Sequence, residues 1–311
     1  MEQQKLKPMK RNGVLKLKKL NKILSLIILT ASLTACKTIT GKTYTKVDPL
    51  SLIDDASSFY IAVPSNVDPE LSFNVLKSNL KNASDSDIRT ITKKVKKVYI
   101  GMNRERKNTV IQGAIEANVP MLYIPKIFSK KQGWTTSYHS PAGSINDYQI
   151  FTQNNFTLSF PDSEVVCLGR DIEGMLDEYD RIHNIPAEES VGQVYTRVIP
   201  DLYTWLKQAE DEIRFYTNKP NAYLSYLLGT NLDMKLIDVS GSFKGDPDCD
   251  DQYLLNFAFA FKNNIAMRAG KALIMIAFGL ASADCETPTD TTLIVRNIHI
   301  KKSALYKLLV L

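Results

Sequence analysis

The 311-residue sequence predicts an α/β fold, built on one continuous and largely antiparallel sheet with helices against its faces. Two observations favour this class. Short β-rich runs alternate with helical segments, and two hairpins each lead into an apolar segment with helical character. The order β-α-β-β-α-β also occurs twice, which is typical of two similar halves that share a sheet. We therefore predict a single domain, residues 51–311, with half-repeats at about 51–185 and 186–311.

The first half opens with Phe59–Val63, a β-rich run that Pro64 closes before a helix. Ser84 begins a polar cluster of the kind that caps a helix. Apolar periodicity predicts the other elements of this half: helices at 69–80 and 85–96, a hairpin of 98–102 with 109–117, an apolar segment at 121–131, strands at 134–138, 148–152, 156–160 and 165–168, and a helix at 172–183.

The second half repeats the opening motif, because Phe215-Tyr216 also lies shortly before a proline and a helix. Apolar residues at three- and four-residue spacing predict a helix over 191–209, which Pro200 should kink or break. The remaining elements follow from the same patterns: a strand at 214–216, a helix at 221–228, long strands at 232–243 and 253–261 around an acidic turn, a helix at 266–281, a strand at 291–300 and a closing segment at 303–311.

The N-terminus has the pattern of a bacterial secretion signal. Residues 1–22 carry eight Lys or Arg and one Glu, and residues 23–35 carry no charge. This uncharged stretch is shorter than the roughly 20 apolar residues that cross a bilayer. It runs into the sequence LTAC at 33–36, which resembles the lipobox of bacterial lipoproteins. We expect cleavage before Cys36, lipid on that cysteine, and a flexible tether over 36–50.

The formal net charge of +6 belongs to the leader. Residues 1–22 contribute eight positive charges and one negative charge, so the mature chain is left near −1. The charge therefore gives no support to a nucleic-acid partner. The mature part, residues 36–311, is long enough for one large domain with a buried core.

Three cysteines remain once Cys36 is acylated. Cys167 lies in an apolar, strand-like run and is predicted to be a buried thiol. Cys249 and Cys285 lie in acidic, loop-like stretches, and an oxidising periplasm would allow them to form a disulfide. Free thiols are the alternative at both positions. No spacing of Cys and His residues predicts a zinc site.

No motif predicts catalysis. The sequence lacks the patterns of hydrolases, metalloproteases, phosphate-binding loops and dinucleotide-binding folds. The three histidines, His139, His183 and His299, do not lie in a recognisable acid–nucleophile pattern. We therefore expect neither an enzyme nor a cofactor.

One acidic stretch imitates a calcium-binding loop. Asp246, Asp248 and Asp250 occupy the first three liganding positions of an EF-hand pattern. Asp251 stands where that loop requires glycine, and Phe257 stands where it requires a bidentate Glu. A solvated hairpin turn is favoured over weak calcium binding, and no metal site is predicted.

Three apolar segments are candidates for membrane contact. Residues 272–281 are apolar on every face, and Arg268 and Lys271 lie just before them. The segment 191–209 adds Tyr and Trp side chains, which favour a membrane–water boundary, and lysines lie in and beyond 121–128. Ordinary core helices are the alternative for each segment, since helices that cover a sheet are apolar on that side. The individual candidates are Lys126, Phe128, Tyr203, Trp205, Arg268, Lys271, Ile276 and Phe278.

The start of the domain resembles a known family. The sequence DPLSLID at 48–54, followed by SSFY at 57–60 and VP at 63–64, is similar to treponemal outer-membrane-associated lipoproteins. The resemblance implies an α/β/α fold around an apolar cavity, attachment to the periplasmic leaflet of the outer membrane, and amphipathic helices that associate with bilayers. It also implies a closed-to-open change on membrane contact. Independently of the resemblance, we expect the apolar surface to be hidden in the soluble state, because exposed apolar patches lead to aggregation. Only Cys36 carries over as a functional position.

These observations favour a lipid-anchored protein that contacts membrane lipids, shelters a fatty acid or other apolar ligand, or perturbs membrane permeability. We expect a monomer or weak oligomer. A structural or adhesive periplasmic lipoprotein is the alternative, and a periplasmic hydrolase would need a nucleophile–base pair. An enclosed apolar pocket would favour the first class, a solid core the second, and a polar cleft with a His–carboxylate contact the third.

Overall fold

A computed structural model describes residues 43–309, except 80–83, 106–107, 155, 229–233 and 281–283. Its architecture confirms the predicted α/β class, with a large antiparallel sheet and helices. The predicted signal peptide, Cys36 and the first part of the tether lie outside the described residues. From Thr45 onward the chain forms one compact unit, so the segment 37–311 contains the whole described core.

The described residues form twelve strands: β1 (Phe59–Pro64), β2 (Val95–Glu105), β3 (Asn108–Ala117), β4 (Thr135–His139), β5 (Tyr148–Gln153), β6 (Phe156–Ser159), β7 (Val165–Gly169), β8 (Ile213–Thr217), β9 (Leu236–Gly245), β10 (Gln252–Phe261), β11 (Cys285–Thr289) and β12 (Thr292–Lys301). They join in one sheet with the order β11-β12-β10-β9-β8-β1-β2-β3-β7-β6-β5-β4. Every neighbouring pair is antiparallel.

The α-helices of the described residues are α1 (Pro69–Asn79), α2 (Asp85–Thr92), α3 (Ile124–Ile127), α4 (Glu173–His183), α5 (Ala187–Ser190), α6 (Pro200–Lys207), α7 (Pro220–Leu228), α8 (Asn264–Phe278) and α9 (Lys302–Leu309). Short 3-10 turns add Pro49–Leu52, Met121–Tyr123 and Lys130–Gln132.

Strand β1 lies inside the sheet, and its side chains show that a separate core packs on each face of the sheet. Phe59, Ile61 and Val63 join a core with side chains of α1, α7, α8 and α9. Tyr60 and Ala62 join a second core, with side chains of α4 and α6. Successive side chains of a strand point to opposite faces, so the sheet carries helices on both sides. This is the α/β/α arrangement that the resemblance implied, while an enclosed apolar cavity stays a prediction.

The two predicted halves meet where β1 pairs with β8. Tyr60 lies opposite Tyr216, and Ile61 lies opposite Phe215, so the motifs that open the halves are antiparallel neighbours. A hairpin follows each of these strands in sequence, β2–β3 in the first half and β9–β10 in the second. This order is compatible with two similar halves, whose equivalence stays a prediction.

The folded domain begins before residue 51, so the predicted tether over 36–50 is too long. Val47 and Leu50 are buried, and the carboxylate of Asp48 caps the turn Pro49–Leu52 by accepting from the N–H of Leu50 at 3.1 Å. The stretch 37–50 is mostly polar, so no local pattern indicated that Val47 and Leu50 attach it to the core. Residues 45–50 therefore belong to the domain.

The helix predicted over 191–209 is present only as α6, which begins at Pro200. Proline is favoured at the first helical position, where its missing N–H costs no hydrogen bond. Residues 191–199 form no helix, and Val191 and Val194 are exposed. The apolar residues of this segment therefore do not form one continuous amphipathic face.

Two further elements differ from the prediction. The segment 121–131 is not one helix but a 3-10 turn, the single turn of α3 and a second 3-10 turn, with Pro125 inside α3. The edge strand β11 was not predicted, because its sequence CETPT is short and polar and forms a strand only through pairing with β12. Both differences arise where tertiary contacts outweigh local pattern.

Candidate functional site

Helix α8 is the helix that the sequence marks as apolar on every face. Asn263 caps its start, because the side-chain oxygen accepts from the N–H of Ala266 at 2.8 Å. Gly279 ends the helix in the left-handed conformation, with φ of 62°, which glycine adopts at little cost. Its 15 residues make a helix of roughly 22 Å. Within the described residues, no helix is long and apolar enough to cross a membrane.

The inner face of α8 packs closely on strand β10. Met267 and Gly270 are buried, and the ring of Phe278 lies 5.8 Å from the ring of Phe257, measured between centroids. A Cβ atom on Gly270 would lie 2.2 Å from the ring of Phe261, so glycine is required for this approach. The helix is therefore held against a row of aromatic side chains.

The outer face of α8 is apolar and exposed. Ile265 and Ile276 keep 80% and 79% of their surface exposed, and Leu273 keeps 41%. Residues at this spacing lie on one side of a helix, which is usually polar on the surface of a soluble protein. Exposed alanines fill the space between them, namely Ala269, Ala272 and Ala277. We call these six residues the outer stripe.

The predicted residues of α8 divide between its two faces. Ile276 belongs to the outer stripe, and the exposed Arg268 lies beside it. Lys271 is half-buried, and Phe278 packs inward. The helix contains no Asp or Glu, so it carries net positive charge. The stripe is exposed in this structure, contrary to the expectation of a hidden surface, so first contact with a membrane requires no movement of the helix.

Phe128 is buried, which corrects its prediction as a membrane-contact residue. Its ring lies 5.0 Å from Trp134, 5.5 Å from Phe151 and 5.3 Å from Phe160, between centroids. An aromatic side chain in such a cluster is a core residue. Lys126 is exposed as predicted, with its Nζ 5.4 Å above the ring of Tyr123. The apolar side chains of this region that face solvent are instead those of Met121, Leu122 and Tyr123.

Tyr203 and Trp205 also have structural partners, which removes the reason to assign them to a membrane boundary. The hydroxyl of Tyr203 donates to the carboxylate of Asp48, and burial followed by this hydrogen bond raises the pKa of Tyr203. The guanidinium of Arg214 lies 4.1 Å from the ring of Trp205, which is a cation–π contact. Lys207 forms an ion pair with Asp48 at 2.8 Å. The two contacts with Asp48 join α6 to the N-terminal segment, and the contact of Trp205 with Arg214 joins α6 to β8.

Cys249 and Cys285 are free thiols, which contradicts the possible disulfide and agrees with the alternative of two free thiols. Cys249 lies in the turn before β10, three residues from Gln252. Cys285 lies opposite Val295, which in turn lies opposite Phe257. The distance from Gln252 to Phe257 along the strand is roughly 17 Å, whereas the Cα atoms of a disulfide lie within about 7 Å.

We expect three free thiols in the unreduced and unfolded segment 37–311. In the folded protein the thiols should react at different rates, because burial raises the pKa of the Cys167 thiol and removes it from reagent. Cys249 and Cys285 are partly exposed and should react first. Titration with an aromatic disulfide reagent, with and without denaturant, measures both quantities. A single reactive thiol after unfolding would contradict this assignment.

His139 and His299 give no support to hydrolase chemistry. His139 Nε2 lies 2.7 Å from Asp177 Oδ1 at the β4 edge of the sheet, and His299 Nδ1 lies 2.8 Å from Asp246 Oδ2. In the part of the chain that the structure describes, neither ring hydrogen-bonds a Ser, Thr or Cys side chain. These His–carboxylate contacts therefore lack the nucleophile that a catalytic base would activate.

The acidic turn between β9 and β10 is closed by its own hydrogen bonds. Asp246 is buried, and its Oδ1 accepts from the N–H of Asp248 at 3.0 Å. Its other carboxylate oxygen faces His299. Over the described ranges, no group of three or more His, Cys, Asp or Glu residues is arranged to hold a metal ion. The hairpin turn that was favoured over an EF-hand is the conformation observed.

Ile265 and Leu273 were missed by the sequence reasoning, although they lie on the same face as Ile276. Their separations of eleven and three residues from Ile276 are visible in the sequence. A helix that is apolar all round has no polar side to show which face meets solvent. The packing of Gly270 on Phe261 and of Phe278 on Phe257 decides the orientation of the helix.

Comparison with known proteins agrees with this fold. Residues 44–306 match the family described as outer membrane-associated lipoprotein TP0453. Among curated protein sequences, none matches the chain.

Solved structures of TP0453 resemble the chain over most of its length. Crystal form I has a TM-score of 0.64 at 17% identity, covering 86% of this chain and 98% of that chain. Crystal form III has a TM-score of 0.62 at 17% identity, with coverage of 84% and 97%. Crystal form IV has a TM-score of 0.58 at 15% identity, with coverage of 86% and 98%. At these identities the likeness shows a shared fold.

Proposed function

The chain belongs to the TP0453 family of outer membrane-associated lipoproteins, and we propose that lipid on Cys36 anchors it to the periplasmic leaflet of the outer membrane. We further propose that the polypeptide itself binds the membrane, through the outer stripe of α8. The family description is of a lipoprotein and specifies no catalytic activity, which agrees with our proposal that the protein is not an enzyme.

The outer stripe is the observation that carries this proposal. Ile265 and Ile276 together expose more apolar surface than a helix on an ordinary soluble domain requires. The helix has no acidic side chain, and Arg268 lies where it would meet lipid phosphates if the stripe entered the boundary. A helix of this length lies in the membrane surface and does not cross it.

The energy available from this surface is sufficient for binding. Each large aliphatic side chain contributes about 1.5–3 kcal/mol when it moves from water to an apolar environment. Ile265 and Ile276 together therefore offer roughly 3–6 kcal/mol, and Leu273 adds a smaller amount. Part of this gain is offset by the lost freedom of the bound protein. A lipid on Cys36 removes much of that cost, because it already holds the domain at the surface.

An apolar ligand is the second part of the proposal. Beneath α8 lie Phe257, Phe259 and Phe261, which are buried side by side on β10. If α8 moved away from the sheet in the membrane, these three rings would be exposed as an apolar surface that could bind a fatty acid or a lipid chain. The same movement would place the helix among lipids and perturb membrane permeability. In the alternative hypothesis, the outer stripe of α8 binds another protein, and the lipoprotein has a structural or adhesive role.

We expect the non-acylated segment 37–311 to float with phospholipid vesicles on a density gradient. Binding should persist in 1 M salt, where electrostatic attraction is screened within about 3 Å, because the main contribution is apolar. Release of a trapped dye from the same vesicles measures any change in permeability. If the segment stays entirely in the soluble fraction across lipid compositions, the polypeptide makes no membrane contact. The hypothesis of a structural or adhesive lipoprotein is then preferred.

A further inference from the structure

The two outer strands of the sheet differ in how well their free edges are protected. The sheet ends at β11 on one side and at β4 on the other, so among the described residues each has one edge without a neighbouring strand. A free edge presents unpaired N–H and C=O groups to which another strand can add, and proteins usually block it with proline or charge. Strand β11 is blocked, because Pro288 lies within it and Glu286 adds a charge.

Strand β4 has no such protection. Its sequence, TTSYH, contains no Pro, Lys, Arg, Asp or Glu. Residues 135–138 are all exposed, and Tyr138 keeps 67% of its surface exposed. Threonine and tyrosine both favour strands. Pairing with β5, from Thr135 opposite Thr152 to His139 opposite Tyr148, already holds the backbone of β4 extended. The outer edge therefore needs no further ordering before another strand pairs with it.

The sequence of β4 is complementary to itself in the antiparallel direction. If Ser137 lies opposite Ser137 of a second copy, all five residues of each strand are paired. Thr136 of each copy then lies opposite Tyr138 of the other, and Thr135 lies opposite His139. An aromatic side chain opposite a β-branched one stabilises a sheet, and here this pair occurs twice. No two carboxylates or lysines of the strands face one another.

The charges at the two ends of β4 also favour an antiparallel second copy. Lys130 and Lys131 are exposed just before the strand begins. At its other end, His139 Nε2 lies 2.7 Å from Asp177 and His139 Nδ1 lies 3.9 Å from Glu173, and these acidic side chains are 54% and 66% exposed. Antiparallel pairing brings the beginning of one strand to the end of the other. The lysines of each copy thus lie towards the same end of the interface as the carboxylates of the other.

We propose that β4 pairs antiparallel with β4 of a second copy of this chain, across a two-fold axis at Ser137. The two sheets then form one sheet that runs through both copies, and neither copy keeps an unprotected edge at β4. With five residues on each side the interface is small, so the association is weak and reversible. This interaction goes beyond the proposed membrane binding and does not require it.

A cysteine placed on the two-fold axis tests the pairing directly. Residues that lie opposite each other in an antiparallel pair have Cα atoms roughly 4.5–5.5 Å apart, which a disulfide can bridge. Mild oxidation of the segment 37–311 carrying Ser137→Cys should therefore give a cross-linked dimer, with residue 137 of the two copies joined in peptide maps. Thr287→Cys, exposed on the protected edge β11, is the matched control and should give no more dimer than wild type.

Opposite charges at the same position test the symmetry of the interface without a cross-link. Ser137→Lys and Ser137→Glu should each weaken the dimer at least about fivefold, because like charges then lie directly opposite. An equimolar mixture of the two variants should dimerise more strongly than either alone, whereas Thr287→Lys should leave the dimer unchanged. Sedimentation at several protein concentrations, with thermal stability as the check on folding, measures these effects.

The outcome that overturns the proposal is equally specific. If wild type stays monomeric at every concentration and Ser137→Cys gives no more cross-linked dimer than Thr287→Cys, the second copy does not occupy this edge. A strand of a different protein would then be its remaining partner. Because both experiments are done in solution without lipid, their result is independent of whether the outer stripe of α8 binds vesicles.

Discussion

Replacing Ile265 and Ile276 together with glutamine is expected to lower vesicle binding of the segment 37–311 by at least about a hundredfold. The two side chains offer roughly 3–6 kcal/mol on transfer from water, and each 1.4 kcal/mol corresponds to a tenfold change in affinity. Glutamine is a good helix former without charge, so the change tests apolar contact and leaves electrostatics unaltered. Flotation at several lipid concentrations measures the loss.

The fold should tolerate this double replacement, because both side chains are about four-fifths exposed. Phe278 is left unchanged, since its ring packs on Phe257 and its loss would destabilise the core. Ile237→Gln is the matched control, as Ile237 is 53% exposed on β9 and lies outside α8. If the double variant binds vesicles as wild type does while retaining its thermal stability, the outer stripe is not the membrane contact.

Replacing Cys36 with serine is expected to remove fatty-acid labelling of the full-length protein completely. The lipobox pattern predicts that the lipid is attached to the cysteine sulfur, and a serine hydroxyl does not replace that thiol. Metabolic labelling with a radioactive fatty acid, followed by immunoprecipitation, measures the result. The unprocessed leader should also remain, which increases the mass of the product.

The sequence supplies its own control for this experiment. Cys249→Ser changes a partly exposed thiol of the folded domain and should keep the label in full. Retention of label by Cys36→Ser would place the lipid elsewhere and remove the anchor assignment. A variant that combines Cys36→Ser with the glutamine replacements of Ile265 and Ile276 distinguishes the contribution of the lipid from that of the outer stripe. Stable membrane attachment usually takes two such signals.

The candidate site was partly predictable from local pattern. The apolar run of α8 was evident, because an uninterrupted series of Ala, Leu, Ile and Met in a helix needs no partner to be recognised. Ile276 and Arg268 were named as membrane-contact candidates and are exposed, while Phe128 is buried and the hydroxyl of Tyr203 donates to Asp48. An aromatic residue suits a membrane boundary and a protein core equally well, so composition does not separate them.

Features that arise within a few residues of one another could be predicted from local sequence patterns. These are the secretion pattern with Cys36, the β-rich runs of β1, β9 and β10, and the apolar character of α8. Each depends on hydrophobic periodicity or on a short motif, and such signals are complete within a single segment.

Other features depend on which distant segments meet, and these became evident from the folded structure. Gly270 against Phe261 sets the outward face of α8, and the register of β10 separates Cys249 from Cys285. Val47, 12 residues before β1 in a polar stretch, becomes core because α4 and α6 are beside it. A residue's exposure is a property of its distant neighbours, and long-range packing sets those neighbours, whereas local propensity sets only the type of element.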